Sequence, residues 1–306
     1  MKKTTILFFG THQFAATILE GLTKSPFCDI KLVITQPDRP VGRKQEMQTS
    51  PVKVLAEKRR LTIEQPKTLR SYRLSAIGYQ LGVVAQYGLL IPKHILEAFP
   101  HGILNVHTSL LPKYRGASPI QTAIMNGETE TGVTIMKMDE GFDTGPILLQ
   151  KRMAIGPDDM YLDLDEKLAA LGVEALNEAL PKYIDGSLTP APQDETQATA
   201  CRELTREDGK IDWQKTSQQI YNQYRGLTPW PGVWTMWKGK RLKLLEIAAS
   251  AHRIAPGKVV IGGQSMLIGC GTGSIEVLKL QLEGKKVADT KSFVNGNQEI
   301  NGYVFN

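Results

Sequence analysis

Cysteine is scarce in this chain. Cys28, Cys201 and Cys270 are the only three among 306 residues, and they lie far apart. An odd number with no CxxC pair and no Cys/His cluster argues against a disulfide framework and a zinc site, and fits reduced thiols. Long apolar runs are missing as well. Lys2 and Lys3 precede Ile6–Phe9, but the run stops at Gly10-Thr11-His12-Gln13, too short for the apolar core of a secretion signal. No stretch approaches the roughly 18 apolar residues of a membrane-spanning helix, so a cytoplasmic protein without a membrane partner is expected. Phosphate-cradling glycine motifs are absent too. Neither GxGxxG nor GxxxxGK[ST] occurs, which removes the usual support for a nucleotide-dependent dehydrogenase or kinase. Gly10 reads instead as a tight strand-to-helix turn.

What is present is unevenly spread. Between Gly209 and Asn306 there are 13 basic and 6 acidic residues, whereas the preceding 208 residues carry 24 basic and 25 acidic. A basic C-terminal third attracts polyanions and makes such binding salt-dependent, although charge alone also serves solubility. The length suits two domains.

Apolar runs of strand length, Ile6–Phe9, Ile30–Thr35, Leu81–Gln86, Ile103–His107 and Gly132–Met138, alternate with helical patterns. The helices are expected over His12–Leu22, over Pro51–Arg60 with Ser50 as cap, from Ser118-Pro119 to about Asn126, and from Asp158-Asp159 to about Asp185. This alternation implies an α/β domain, Rossmann-like, with a mostly parallel sheet and helices on both faces, over residues 1–188. Thr189-Pro190-Ala191-Pro192 and the polar stretch after it read as an extended linker over 189–205. Residues 206–306 open with a helix near Gln214–Arg225. Short strands follow at Val233–Trp237, Arg241–Ala248, Lys258–Ile261, Ser265–Ile268 and Ser274–Leu280, parted by glycine turns. That pattern predicts a small OB-like β-barrel.

Asn105-Val106-His107 is the first segment that points to chemistry. Residues two apart on a strand share a face, and open parallel sheets bind ligands beyond the carboxyl ends of their strands. An amide there can donate to a developing oxyanion and an imidazole can move a proton near neutral pH. A strand end tied by local hydrogen bonds would look the same. Met138-Asp139-Glu140-Gly141-Phe142-Asp143-Thr144-Gly145 adds two carboxylates and two glycines in a loop after a strand. Asp143 can orient His107 there, or the segment can be an ordinary acidic turn.

Together, Asn105-x-His107, Ser109-Leu110-Leu111-Pro112, Arg115-Gly116, Thr131-Gly132-Val133-Thr134-Ile135 and Asp139-x-Gly141-x-Asp143-Thr144-Gly145 resemble the signature of the folate-dependent formyltransferases. The resemblance covers nearly the whole chain, thinning after about Ala248. It implies that Asn105, His107 and Asp143 are the catalytic trio. It also implies that Ser109, Leu110, Leu111 and Pro112 line the site of 10-formyltetrahydrofolate with Val84, Gln86, Tyr87, Gly88, Leu90 and Asp139, and that no metal takes part. Thr35–Lys44 resembles the insertion loop of the branch that formylates methionyl initiator tRNA, with Arg39, Arg43 and Lys44 implied at the tRNA acceptor end. Asp208–Trp213 and Arg225–Gly232 resemble that branch's entrance to a tRNA-binding C-terminal domain. The expected activity is formylation of the methionyl α-amine for translation initiation, by a monomer. The alternatives are a sugar-nucleotide N-formyltransferase and a non-catalytic folate- or RNA-binding protein. Two places depart from the pattern: Thr11-His12-Gln13-Phe14 in place of Thr-Pro-Asp-Phe, and Gln86 where a small residue is frequent.

Overall fold

The computed structural model describes residues 3–41, 46–74, 78–263 and 265–306. The chain forms two compact units. The first comprises Met1–Pro119, Glu130–Ala154 and Leu164–Cys201; the second comprises Ile120–Thr129, Ile155–Asp163 and Arg202–Asn306.

The first unit is built on a seven-stranded sheet. Its strands are β1 (Thr4–Gly10), β2 (Cys28–Ile34), β3 (Ile63–Glu64), β4 (Leu81–Ala85), β5 (Ile103–His107), β6 (Glu130–Lys137) and β7 (Ile147–Ala154), in the spatial order β7-β6-β5-β4-β1-β2-β3. From β3 to β5 all pairs are parallel. β6 runs antiparallel to β5, and β7 antiparallel to β6. The fold is Rossmann-like. Residues 6–9 of β1 and 81–85 of β4 are buried on both faces, as unbroken apolar runs in a covered parallel sheet require. Helix α1 (Gln13–Lys24) buries Phe14, Ala15, Ile18, Leu19 and Leu22, one face at three- and four-residue spacing. Helix α2 (Pro51–Lys58) begins as its sequence asks, with Ser50 Oγ accepting from the Lys53 amide at 3.1 Å and Pro51 in the first turn.

Three differences from the sequence reading have local causes. β7 is not anticipated, because an edge strand with Leu148 alone fully buried lacks a clean apolar run. The long helix α4 (Tyr161–Ile184; α3 is Pro119–Met125) begins after the two aspartates rather than at them. Asp159 instead accepts from the Gly156 amide at 2.8 Å. The proline-rich stretch after Ser187 is laid along the first unit as far as Cys201. Ile147 and Ala191 exchange two backbone hydrogen bonds, and Ala200–Cys201 pairs in parallel with Arg115–Gly116.

The second unit carries a barrel-like antiparallel sheet of β8 (Val233–Trp237), β9 (Lys240–Ser250), β10 (Val259–Gly262), β11 (Ser265–Gly269), β12 (Ser274–Leu282) and β13 (Ala288–Asp289). β8 to β12 lie within a few residues of the runs read from sequence, while the two-residue β13 has no counterpart among them. Helix α5 (Ser217–Leu227) starts with a capping box between Thr216 and Gln219. Helix α6 (Thr290–Asn295) follows β13. The core of this unit gathers Trp213, Trp237, Leu242, Leu244, Met266, Ile275 and Phe293. Among the described residues no helix is long and apolar enough to cross a membrane, and no group of three or more metal-ligating side chains occurs.

Candidate active site

The carboxyl ends of the parallel strands converge on one set of loops in the first unit. Just beyond β4, the carbonyl of Tyr87 accepts from Thr11 Oγ1 at 2.9 Å and from Gln36 Nε2 at 2.6 Å. The loops after β1, β2 and β4 are thereby fixed to one another. Gln86 takes a left-handed backbone, φ +39°, and its side-chain Nε2 donates to Asp165 Oδ1 on α4 at 3.2 Å. Asp165 is buried, and burial raises its carboxyl above the usual range. The Tyr87 ring turns into the core against Phe9, and burial pushes its phenol up to about 12. Only the Tyr87 backbone, not its side chain, belongs to the loop cluster. Val84 sits opposite Asn105 in the β4–β5 register. Gly88 and Leu90 are exposed.

Asn105, His107 and Asp143 come together. Asn105 Nδ2 donates to Asp143 Oδ1 at 3.1 Å. Asp143 Oδ2 accepts from the Gly116 amide at 2.9 Å and stands 3.6 Å from His107 Nδ1. The other imidazole nitrogen, Nε2, lies 3.0 Å from the Tyr114 carbonyl, so both ring nitrogens face oxygen acceptors. His107 is only 6% exposed and Asp143 17%. Of the two amide hydrogens on Asn105, the bond to Asp143 occupies one. Asp143 itself has φ +55°, a conformation that must be held by its surroundings.

The turn after β5 is rigid for a reason that spacing did not reveal. Thr134, opposite His107 on β6, donates its hydroxyl to the Ser109 carbonyl at 2.6 Å and accepts from the Leu111 amide at 3.1 Å. Gln150 on β7 donates to the Leu111 carbonyl at 2.7 Å and to Thr134 Oγ1 at 3.0 Å. Ser109 is buried and its hydroxyl donates to the Lys113 carbonyl at 2.6 Å. Leu111 is buried, while Leu110 and Pro112 are half-buried. Asp139 stands apart from the trio. Its carboxylate closes the 139–144 loop by accepting from the Gly141 amide at 3.0 Å and from Thr144 Oγ1 at 2.8 Å. A shallow cleft of about 580 Å³ adjoins this loop, bounded by Lys93, Phe99, Lys137, Met138 and Asp139.

Four residues outside the trio support the site: Thr134 and Gly116, which lie in the motifs quoted above without a stated role, and Gln150 and Gln193, which no motif includes; the Gln193 amide donates to the Asp143 and Gly145 carbonyls. Gln193 comes from the stretch read as linker. Its signal was out of reach because it depends on a backbone crossing, not a local motif. At the implied tRNA loop, Arg39 is exposed on a short hairpin of Arg39–Val41 with Glu46–Gln48. Asp38 anchors its root, accepting from Lys53 Nζ at 2.6 Å and from Gln65 Nε2 at 2.9 Å. Arg43 and Lys44 lie outside the described residues.

Comparison with known proteins agrees in both units. Residues 2–180 match the family model of formyl transferases, and residues 203–298 match that of the formyl transferase C-terminal domain. The methionyl-tRNA formyltransferase of Geobacter metallireducens is 41% identical over 301 residues, covering 97% of this chain and 96% of its own. That of Caldicellulosiruptor saccharolyticus is 43% identical over 300-odd residues, covering 95% of this chain and 96% of its own. Among solved structures, an N-formyltransferase from Helicobacter canadensis, in complex with folinic acid and dTDP-3-aminofucose, aligns with a TM-score of 0.68 at 22% identity. That alignment covers 90% of this chain and 98% of the other. HypX from Aquifex aeolicus, in complex with tetrahydrofolic acid, aligns at 0.65 and 18% identity, covering 96% of this chain and 47% of the other. At these identities the two structures speak to the fold.

Proposed function

Because this chain belongs to the formyl transferase family, alongside methionyl-tRNA formyltransferases similar to it over nearly their whole length, we propose that it transfers a formyl group from 10-formyltetrahydrofolate to the α-amino group of methionine on initiator tRNA. One observation carries the assignment of the chemistry to residues: Asn105, His107 and Asp143 meet within hydrogen-bonding or ion-pair distance at the carboxyl ends of the sheet.

The acceptor attacks as a free amine. An α-amino group has a pKa of roughly 7.7–8.0, so little work is needed to deprotonate it near neutrality. Its lone pair forms the new C–N bond at the formyl carbon, and the carbonyl π electrons move onto oxygen. The second Asn105 amide hydrogen stabilises that oxyanion, joined by the His107 Nε2–H once it leaves the Tyr114 carbonyl. As the tetrahedral centre collapses, the bond to folate N10 breaks. The proton lost by the amine reaches N10 by way of His107. Asp143 has a positioning role toward both partners, one carboxylate oxygen toward Asn105 and the other toward His107. Val84–Leu90, Ser109–Pro112 and the loop closed by Asp139 form the donor site in this reading. The basic segment Gly209–Asn306 tracks tRNA phosphates, while the loop carrying Arg39, Arg43 and Lys44 meets the acceptor end.

The test is formyl transfer to charged initiator tRNA, measured beside a nucleotide-linked amino sugar. Activity on the amino sugar alone would replace the tRNA reading with a sugar-nucleotide one. His107→Ala and Asn105→Ala should each lower turnover by about 10²–10³-fold, with tRNA affinity and folding little changed. Near wild-type turnover of either variant at saturating substrates would remove that residue from the mechanism.

A further inference from the structure

Gln193 lies in the extended stretch that follows the catalytic domain in sequence, fifty residues after Asp143, and no catalytic motif includes it. Both ends of its amide are nevertheless committed to the site. Nε2 donates to the Asp143 carbonyl at 2.8 Å and to the Gly145 carbonyl at 2.7 Å. Oε1 accepts from Arg115 Nε at 3.0 Å and from Arg115 Nη2 at 2.8 Å. Arg115 is held from the other side by Glu195, whose carboxylate accepts at 2.9 and 2.7 Å. The same stretch then clamps the turn after β5. Thr199 accepts from the Tyr114 amide at 2.8 Å through its hydroxyl and from the Arg115 amide at 2.9 Å through its carbonyl. The Cys201 carbonyl accepts from the Ala117 amide at 3.1 Å.

The geometry has a specific consequence at Asp143. Its φ of +55° belongs to the left-handed region that non-glycine residues rarely occupy. Two carbonyls on either side of Thr144 converge on one amide nitrogen, which fixes the peptide planes flanking the turn. The carboxylate that faces Asn105, His107 and the Gly116 amide is aimed by that backbone. We propose that Gln193 is a positioning residue for the formyl transfer proposed above, acting through Asp143: it holds the 143–145 turn and locks that turn to Arg115. The catalytic trio thus includes a dependence on a segment distant in sequence. A misplacement of about 1 Å can lower a rate by about 100-fold without contact between the altered residue and the substrate.

Two substitutions in the full chain separate the halves of the amide. Gln193→Glu keeps acceptors for Arg115 and loses both donors to the turn. Gln193→Met fills similar space and loses all four bonds. Each should lower kcat by about 10- to 100-fold while KM for charged tRNA stays within about twofold and thermal unfolding stays cooperative. In an Asp143→Ala background, measured in single turnover, Gln193→Glu should add no further loss, since the group it positions is gone. If Gln193→Met fails to fold, Gln193→Glu alone decides. Wild-type kcat for Gln193→Glu, or a full additional loss in the Asp143→Ala background, overturns the inference and leaves the trio standing. Wild-type turnover of Asp143→Ala itself overturns the trio and the inference together.

Discussion

Gly116 shows how closely single residues are constrained around this site. Its amide donates to Asp143 Oδ2 at 2.9 Å, its φ is +115°, and a Cβ built there would run into the Cys201 carbonyl. Glycine is therefore needed twice, for the conformation and for the approach of the crossing strand. Gly116→Ala should force Arg115–Gly116 and Ala200–Cys201 apart. A strained backbone position of this kind costs about 1–3 kcal/mol, and the displaced amide no longer holds the carboxylate. Thermal unfolding and turnover should fall together. A variant with wild-type turnover would mean that the amide contact to Asp143 is not needed for alignment. The trio itself was legible in the sequence because Asn105 and His107 share a strand and Asp143 lies in a motif of recognisable spacing. Gln193 and Gln150 were not, since a glutamine carries no signal until the backbone brings it to a carbonyl.

Elements with an unbroken apolar run or an explicit cap were legible almost to the residue. β1, β4 and β5 fill the middle of a sheet covered on both faces, and Ser50 states where its helix begins; the sequence pattern puts the start of the helix capped by Thr216 near Gln214, about three residues early. β7 and the short hairpin at Arg39–Val41 escaped because edge strands are half polar and take their pairing from a neighbour. The turn at Arg206–Gly209, where the chain enters the second unit's main segment, is a further case with a measurable signature. Asp208 Oδ2 accepts from the Thr205 amide at 2.6 Å and from its hydroxyl at 2.8 Å, and Arg202 pairs with the same carboxylate. The Arg202 hydrogen bond, then the Thr205 bonds, lower Asp208 to about 2 against the burial that opposes them. A carboxyl depressed on folding stabilises the fold above its ordinary range and loses that contribution as pH falls toward the folded value. Between about pH 4 and pH 2, acid unfolding of the wild type should therefore include a component that Asp208→Asn lacks. Superimposable acid titrations of the two proteins would place the stabilising contacts of this turn elsewhere.

At the scale of the whole molecule, the proposed function draws chemistry and RNA recognition from different parts of the chain. The trio lies entirely in the first unit, whereas the excess of 13 basic over 6 acidic residues falls between Gly209 and Asn306. Contacts to phosphate release counterions, so affinity for tRNA should fall linearly in log–log form as salt rises, while affinity for the folate donor should change little. In the proposed function, phosphate contacts would hold charged initiator and charged elongator methionyl-tRNA alike, and the two carry the same amino acid. Discrimination must therefore come from RNA features near the reacting amine, which the resemblance assigns to the loop of Arg39, Arg43 and Lys44. Arginine offers a planar fork that can read a base edge, whereas lysine is a less directional point charge. Arg43→Ala should accordingly lower kcat/KM for the initiator more than for the elongator, by roughly 1–3 kcal/mol of discrimination. Lys44→Ala should weaken both by a similar factor, with a shallower salt slope. The measurement is the ratio of kcat/KM for the two charged tRNAs, in wild type and each variant, at two salt concentrations. An unchanged ratio in Arg43→Ala would remove this loop from selectivity, and a salt-independent KM for tRNA would reduce the basic charge of Gly209–Asn306 to a solubilising surface.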